Sequence, residues 1–387
     1  MSFKQVQNQY YAKLHFGEAS SVALAPIVGL CVTLAVWANL HVGLSRRNSG
    51  ILLKALGLIV AGYDIESPTA GIPQDIRSAY KGMLEPEIIR TPCCPTCYKP
   101  YTMQNLPTLC DWEKSPRAVP CGTTLWKQVQ LRNGTRKKVP KCFYPTQSFE
   151  SWLQFFLSRK DIEDHLEKTL QRRSSTCPAW RSLGNFLLSR YHLVFGSYVD
   201  WFNPFMNKIA GPVVSYGVIV LYCLSLPIEV RFNLENIFIF GLIPGPGAPN
   251  VWTITNVLIA FANMMSSFAL PGKVLPTYQN PAGTHVATPV VPLIADLQAI
   301  RKVAGYMAFN ATQFCNWCLL TLNQIENLDY QSWTLRNSRT VSDQAKAWHD
   351  AIMITHKNEL SKQSGVRWSP TVAARSNFLP FWEMPSN

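Results

Sequence analysis

Hydrophobic and polar positions change period several times along the chain. Val22 to Leu44 is nearly continuous apolar sequence without a charged residue, Arg46-Arg47 follow, and a second apolar run covers Ile51 to Ala61. The first run is long enough to cross a bilayer, for which about 20 apolar residues suffice. Pro26, Gly29, Asn39, His41 and Gly43 interrupt it, so a buried helix or helical pair is the competing reading. Residues 1–90 are thus expected to be an N-terminal helical region. Residues 91–145 lose apolar periodicity and gather cysteines, prolines and turn residues, followed by a basic stretch. Residues 146–190 read as a helical linker, where Phe149, Trp152, Phe155 and Phe156 recur at helical spacing and mark a core-facing stripe.

From His192 the pattern becomes strand-like. His192 to Val199 leads into Asp200, Val213 to Leu226 is a β-branched and aromatic run stopped by Pro227, and Asn236 to Ile243 is closed by a Pro-Gly-rich loop. Thr253 to Phe268 reads as a helix, Val286 to Ala295 as a fourth strand delivering Asp296, and Leu297 to Tyr306 as a further helix. The predicted order over 191–310 is β-β-β-α-β-α, an α/β core. If the first three strands are antiparallel, the first and fourth lie side by side, and Asp200 and Asp296 meet at their C-terminal ends. Two hard carboxylates suit Mg²⁺ or Mn²⁺, and a pair of such ions can drive phosphodiester chemistry. Taken singly, each aspartate reads as a turn or a cap, and Asp296 stands where an N-cap residue is common.

Composition narrows the classes. The chain has 387 residues, 47% hydrophobic and 15% charged, which excludes wholesale disorder and leaves room for two or three domains. A net charge of +13 favours an anionic partner, nucleic acid foremost. The 11 cysteines, an odd number in a long chain, argue against a disulfide framework, and their CxxC spacing points to zinc. Cys94, Cys97, Cys110 and Cys121 could enclose one tetrahedral Zn²⁺ in a zinc-ribbon-like module, with Cys93 and Cys142 as spare candidates. Cys315 and Cys318 supply half a second site, for which His349 and His356 are the downstream imidazoles. Lys127, Arg132, Arg136, Lys137, Lys138 and Lys141 form a basic ribbon about an Asn133-Gly134 turn, a hairpin signal with the composition of a phosphate-binding strand pair. A solvated hairpin is the bland alternative. Gly245 and Gly247 lack the Lys-Ser/Thr of a phosphate loop, and no nucleophile elbow is present.

The motifs Val199-Asp-Trp-Phe-Asn-Pro-Phe205, Gly241-Leu-Ile-Pro-Gly-Pro246, Asn280-Pro-Ala-Gly283, Pro292-Leu-Ile-Ala-Asp-Leu-Gln-Ala299, Phe314-Cys-Asn-Trp-Cys-Leu-Leu-Thr321, Gly365-Val-Arg-Trp-Ser369 and Leu379-Pro-Phe-Trp382 run through the chain. Together with Cys94-Pro-Thr-Cys97 and Pro120-Cys-Gly-Thr-Thr-Leu125, this series resembles the transposases of CACTA-like and Plavaka-type DNA transposons, the Kyakuja-Dileera-Zisupton group of fungi. The resemblance implies an RNase H-like core over 191–310 with an acidic (DDE) triad that cleaves and transfers DNA strands. It makes Asp200 the first and Asp296 the second catalytic aspartate, and Cys315 and Cys318 a zinc-binding pair in a helical insertion over 311–387. It also implies nuclear localisation, DNA at transposon ends as the partner, and possible homo-oligomers. In the family, a motif with Asp and Met-His and then a third acid follow the segment equivalent to Leu379–Trp382, whereas Glu383-Met-Pro-Ser-Asn387 stands here. The expectation is a transposon-derived fragment with an incomplete triad. A non-enzymatic DNA-binding protein derived from a transposon, or a single-pass membrane protein resting on Val22 to Leu44, are the alternatives.

Overall fold

The structure, a computed structural model, describes residues 26–62, 72–83, 87–131, 133–176, 189–203, 215–245, 247–290 and 293–370. Three helices come first: α1 (Pro26–His41), α2 (Arg46–Gly62) and α3 (Ile76–Met83). A mixed α/β body follows, with β1 (Ile88–Cys93), β2 (Trp126–Gln130), β3 (Arg136–Pro140), β4 (Cys142–Gln147), α4 (Phe149–Leu157), α5 (Lys160–Thr176), β5 (His192–Phe202), β6 (Tyr216–Cys223), β7 (Ile237–Ile243), α6 (Ile254–Ser266), β8 (Lys273–Leu275), β9 (Thr284–Val290), β10 (Leu293–Ile294) and α7 (Leu297–Val303). Two further helices, α8 (Ser338–Asp350) and α9 (Ile354–Ser364), lie beyond.

The N-terminal helices bury their own small core. Val28, Val32, Ala35 and Val36 of α1 pack on Leu53 of α2 and on Ile76 and Ala79 of α3. Asn39 fastens the α1–α2 corner by donating from Nδ2 to the Leu44 carbonyl and to Ser49 Oγ. The apolar run is thus a helix of 16 residues in a helical hairpin, and among the described residues no helix is long and apolar enough to cross a membrane. Val22 to Ala25 lie outside the described residues.

One mixed sheet organises the rest, in the order β1-β4-β7-β6-β5-β9-β8, with β10 also on β5. β5, β6 and β7 form an antiparallel meander. On the far side of β5, both β9 and β10 run parallel to it: His192 faces Ala287, and Tyr198 faces Ile294. The parallel neighbours need a crossover, which α6 and β8 supply. On the other flank β4 is antiparallel to β7, and β1 to β4. β1 therefore points the same way as β5, and the chain between β1 and β4 leaves the sheet at the end where β5 and β10 finish.

The sequence pattern explains the layers. β6 alternates buried and half-buried residues along its whole length, as a strand covered on one face requires. The covered face meets the aromatic stripe of α4, whose first turn is capped by Ser148 Oγ accepting from Ser151 N–H. Phe149 is the hub: its ring lies 5.4 Å from Phe195, 5.0 Å from Phe238 and 4.9 Å from Phe268. Trp152 and Phe156 are buried beside it, while Phe155 is only half-buried.

Several boundaries differ from the sequence expectation. Asp200 lies inside β5, two residues before its end, because Trp201 and Phe202 still pair with Gly217 and Tyr216. The expected fourth strand is two pieces, β9 and β10, around 291–292, which lie outside the described residues. Residues 91–145 are not set apart from the core: β1 and β4 are members of the central sheet, and only the segment between them stands off it. Short β8 was not expected at all.

Candidate metal centre

Four thiols converge in the segment between β1 and β4. The Sγ atoms of Cys94, Cys97, Cys110 and Cys121 all lie within 4.8 Å of one another, and all but Cys121 are buried. Cys94 Sγ is 3.8 Å from Cys121 Sγ, and Cys97 Sγ is 3.4 Å from Cys110 Sγ. A tetrahedron with Zn–S bonds of about 2.3 Å has edges of roughly 3.8 Å, so the set could hold a metal such as zinc.

Local backbone chemistry builds this pocket. Cys94-Pro-Thr-Cys97 folds into a tight turn in which the N–H groups of Thr96 and Cys97 point at Cys94 Sγ, at 3.4 and 3.5 Å. Tyr98 completes it in the left-handed region, with φ +63°, a conformation uncommon outside glycine. Contacts outside the module hold it there: the Tyr98 hydroxyl donates to the Gly247 carbonyl at 2.7 Å, and Asn256 Nδ2 of α6 donates to the Cys97 carbonyl at 2.9 Å. The second half is a short extended pair. Cys110 N–H donates to Thr123 O, Gly122 N–H to Cys110 O, and Cys121 N–H to Trp112 O.

The thiols are electrostatically graded. The Cys97 thiol beside it, then the two N–H groups of the turn, push the Cys94 thiol down to about 4. Cys97 is raised, chiefly by that same hydrogen bond and then by burial, and burial raises Cys110. The Tyr101 hydroxyl stands 3.1 Å from Cys110 Sγ and 2.6 Å from Asp111 Oδ1. Donors of this kind stabilise thiolates, the form in which cysteine binds a metal.

The basic hairpin adjoins the thiols. Gln130 pairs with Arg136 and Lys127 with Val139, and the turn closes through Leu131 N–H to Thr135 O and Gly134 N–H to Leu131 O. Lys127, Arg136, Lys137, Lys138 and Lys141 are all exposed, and among the described residues none is in an ion pair. Alternation divides them, however. Lys127 and Lys137 share one face, Arg136 and Lys138 the other, where Lys138 Nζ stands 4.6 Å over the Trp126 ring. Arg132 lies outside the described residues.

Asp200 and Asp296 follow paired positions of the neighbouring strands β5 and β10. Tyr198 on β5 is the partner of Ile294 on β10; Asp200 stands two residues further along β5, and Asp296 two residues past Ile294, beyond the end of β10. Asp200 is half-buried and Asp296 exposed. Asp200 Oδ2 accepts from the Tyr198 hydroxyl at 3.0 Å and Oδ1 from Trp201 N–H at 2.7 Å. Asp296 is the N-cap of α7, its Oδ1 accepting from Ala299 N–H at 2.7 Å. The Tyr198 hydroxyl is raised by its hydrogen bond to Asp200, then by burial and by the charges of Asp200 and Asp296. Lys302 sits with Nζ 4.6 Å over Trp201, lowered by burial while Asp296 opposes that shift. Period-2 alternation in the strand was a signal for Tyr198; nothing in the sequence pointed to Lys302. Among the described residues, no third His, Cys or acidic group joins the two aspartates in a cluster.

Cys315 and Cys318 repeat the first turn: the N–H groups of Trp317 and Cys318 both lie 3.4 Å from Cys315 Sγ, and the sulfurs are 3.1 Å apart. Buried Arg336 pins this turn, donating from Nε to the Cys315 carbonyl. Among the described residues no third ligand joins the pair. His349 instead has Nδ1 3.0 Å from Asp350 Oδ1 and its ring 4.8 Å from Trp368. No protein-family model and no curated protein matches this chain.

Proposed function

We propose that the body over 191–310 is an RNase H-like nucleotidyl-transfer core of the CACTA/Plavaka transposase type, which works on DNA with Mg²⁺ or Mn²⁺. The observation that supports this reading is the parallel pairing of β10 with β5, in which Ile294 is the partner of Tyr198 and an aspartate follows each of them by two residues. An antiparallel three-strand meander with a fourth strand parallel to its first is the arrangement the reading requires. In it, Asp200 and Asp296 each offer the metal a carboxylate oxygen not taken by a backbone N–H. The Cys94, Cys97, Cys110 and Cys121 set could bind a metal such as zinc. The exposed lysines and arginine of the hairpin supply phosphate contacts from the same end of the sheet, without reading bases.

The test is nicking of supercoiled DNA by the purified chain in Mg²⁺ or Mn²⁺. Nicking that vanishes in Asp200→Ala and in Asp296→Ala supports the reading. A second reading is favoured by the capping role of Asp296: a DNA-binding protein without cleavage. Salt-sensitive DNA retention with no nicking at any divalent ion concentration would leave that one standing.

A further inference from the structure

Two thiols that the metal centre does not use face each other across the sheet. Cys93 ends β1, Cys142 begins β4, and they are direct cross-strand partners. Opposite residues of an antiparallel pair project to the same face with Cα atoms roughly 4.5–5.5 Å apart, inside the range of about 4.4–6.8 Å that a disulfide spans. Alternation separates them from the metal centre: Cys93 and Cys94 are consecutive in an extended stretch, so their side chains leave on opposite sides. Cys93 and Cys142 pack with the main core, and Cys94 with Cys97 and Cys110. Cys93 is 2% exposed, whereas Cys142 is half-buried and reachable from solvent.

We propose that Cys93 and Cys142 are a redox-active dithiol, closed to a disulfide by a low-molecular-weight disulfide of the glutathione class. The Cys142 thiolate attacks one sulfur of the small disulfide, forming a mixed disulfide and releasing one small thiol. The Cys93 thiolate then attacks Cys142 Sγ and expels the second. Two electrons pass to the small disulfide, and the protons of Cys93 and Cys142 leave on the two small thiols. The bond staples β1 to β4 at the neck from which the four-thiol module projects, and residues 94–141 become a covalently closed loop.

The test uses the whole zinc-loaded chain with excess oxidised glutathione, followed by alkylation, intact mass and non-reducing peptide mapping. The expected result is a mass loss of two alkyl groups relative to the untreated alkylated chain, a Cys93–Cys142 cross-linked peptide, unchanged zinc content, and full reversal by dithiothreitol. In Cys142→Ser the mass loss disappears while zinc content is kept. A stable glutathione adduct on Cys142 without a cross-link, or a cross-link among Cys94, Cys97, Cys110 and Cys121 with loss of zinc, would overturn the proposal. The mapping of the unsubstituted chain decides even where a variant folds poorly.

Discussion

The Tyr198 hydroxyl donates to Asp200 Oδ2 at 3.0 Å, from the residue two places earlier on the same face of β5. Because the carboxylate holds that proton in place, Tyr198 titrates above the ordinary tyrosine range. In Asp200→Asn the acceptor charge is gone, and the Tyr198 value falls back toward the ordinary range. NMR titration of ring-labelled tyrosine reads this directly. An unchanged Tyr198 titration would show that the bond does not hold in solution.

The metal centre predicts one zinc per chain and proton release on binding. At neutral pH Cys94 is already ionised, with its value near 4, while Cys97 and Cys110 are raised and keep their protons. Zinc must displace at least those of Cys97 and Cys110, so two or more protons are released. Affinity therefore falls as pH falls, since protons compete for the same sulfurs. Calorimetry in two buffers of different ionisation enthalpy measures the number released.

One of the two contacts that dock the metal module comes from a buried side chain of α6. Asn256→Ala removes the donor to the Cys97 carbonyl, which leaves that oxygen unpaired at a cost of about 1–3 kcal/mol. The expected outcome is a lower unfolding midpoint and faster amide exchange around Cys97 and Tyr98, with zinc stoichiometry unchanged.

Phe149→Ala empties the centre of the aromatic cluster under β5 and β7. Phe149 is 1% exposed and touches four aromatic rings. Large-to-small changes of this kind cost about 3–5 kcal/mol. Denaturant unfolding should register the loss, and a change below about 1 kcal/mol would place the core elsewhere.

Substituting the two faces of the hairpin separately tests phosphate binding against solvation. Each phosphate contact contributes about 0.9 to the slope of log affinity against log salt. If one face carries the contacts, neutralising Lys127 and Lys137, or alternatively Arg136 and Lys138, by substitution to glutamine lowers the slope by about 1.8 for that pair only. Equal small effects from both pairs would assign the hairpin to solvent.

Legibility followed from how local each signal was. The meander β5-β6-β7 and helix α6 were readable because β-branched runs end at Pro227 and Pro244. The four cysteines were readable because CxxC turns are made by neighbouring residues. β1 and β4 were not: Pro92 and Pro145 interrupt their pattern, tolerated because the two strands form one flank of the sheet. Asn256 and Gly247 were invisible as supports of the metal module, since each is more than a hundred residues from its partner. Asp296 was legible as an acid beside a helix start, and its cap was the plain reading the structure bears out.

The order of strands also fixes a length. β4, which begins at the base of the module, is three strand positions from β5, through β7 and β6, roughly 14 Å at about 4.8 Å per strand. A nucleic-acid strand advances about 3.4 Å per nucleotide along a duplex. A backbone gripped at the hairpin base and lying across the sheet end would thus meet the two carboxylates about four nucleotides away. The sheet width becomes a ruler, and its graduation would appear as a constant offset between the phosphates protected in a footprint and any position cut.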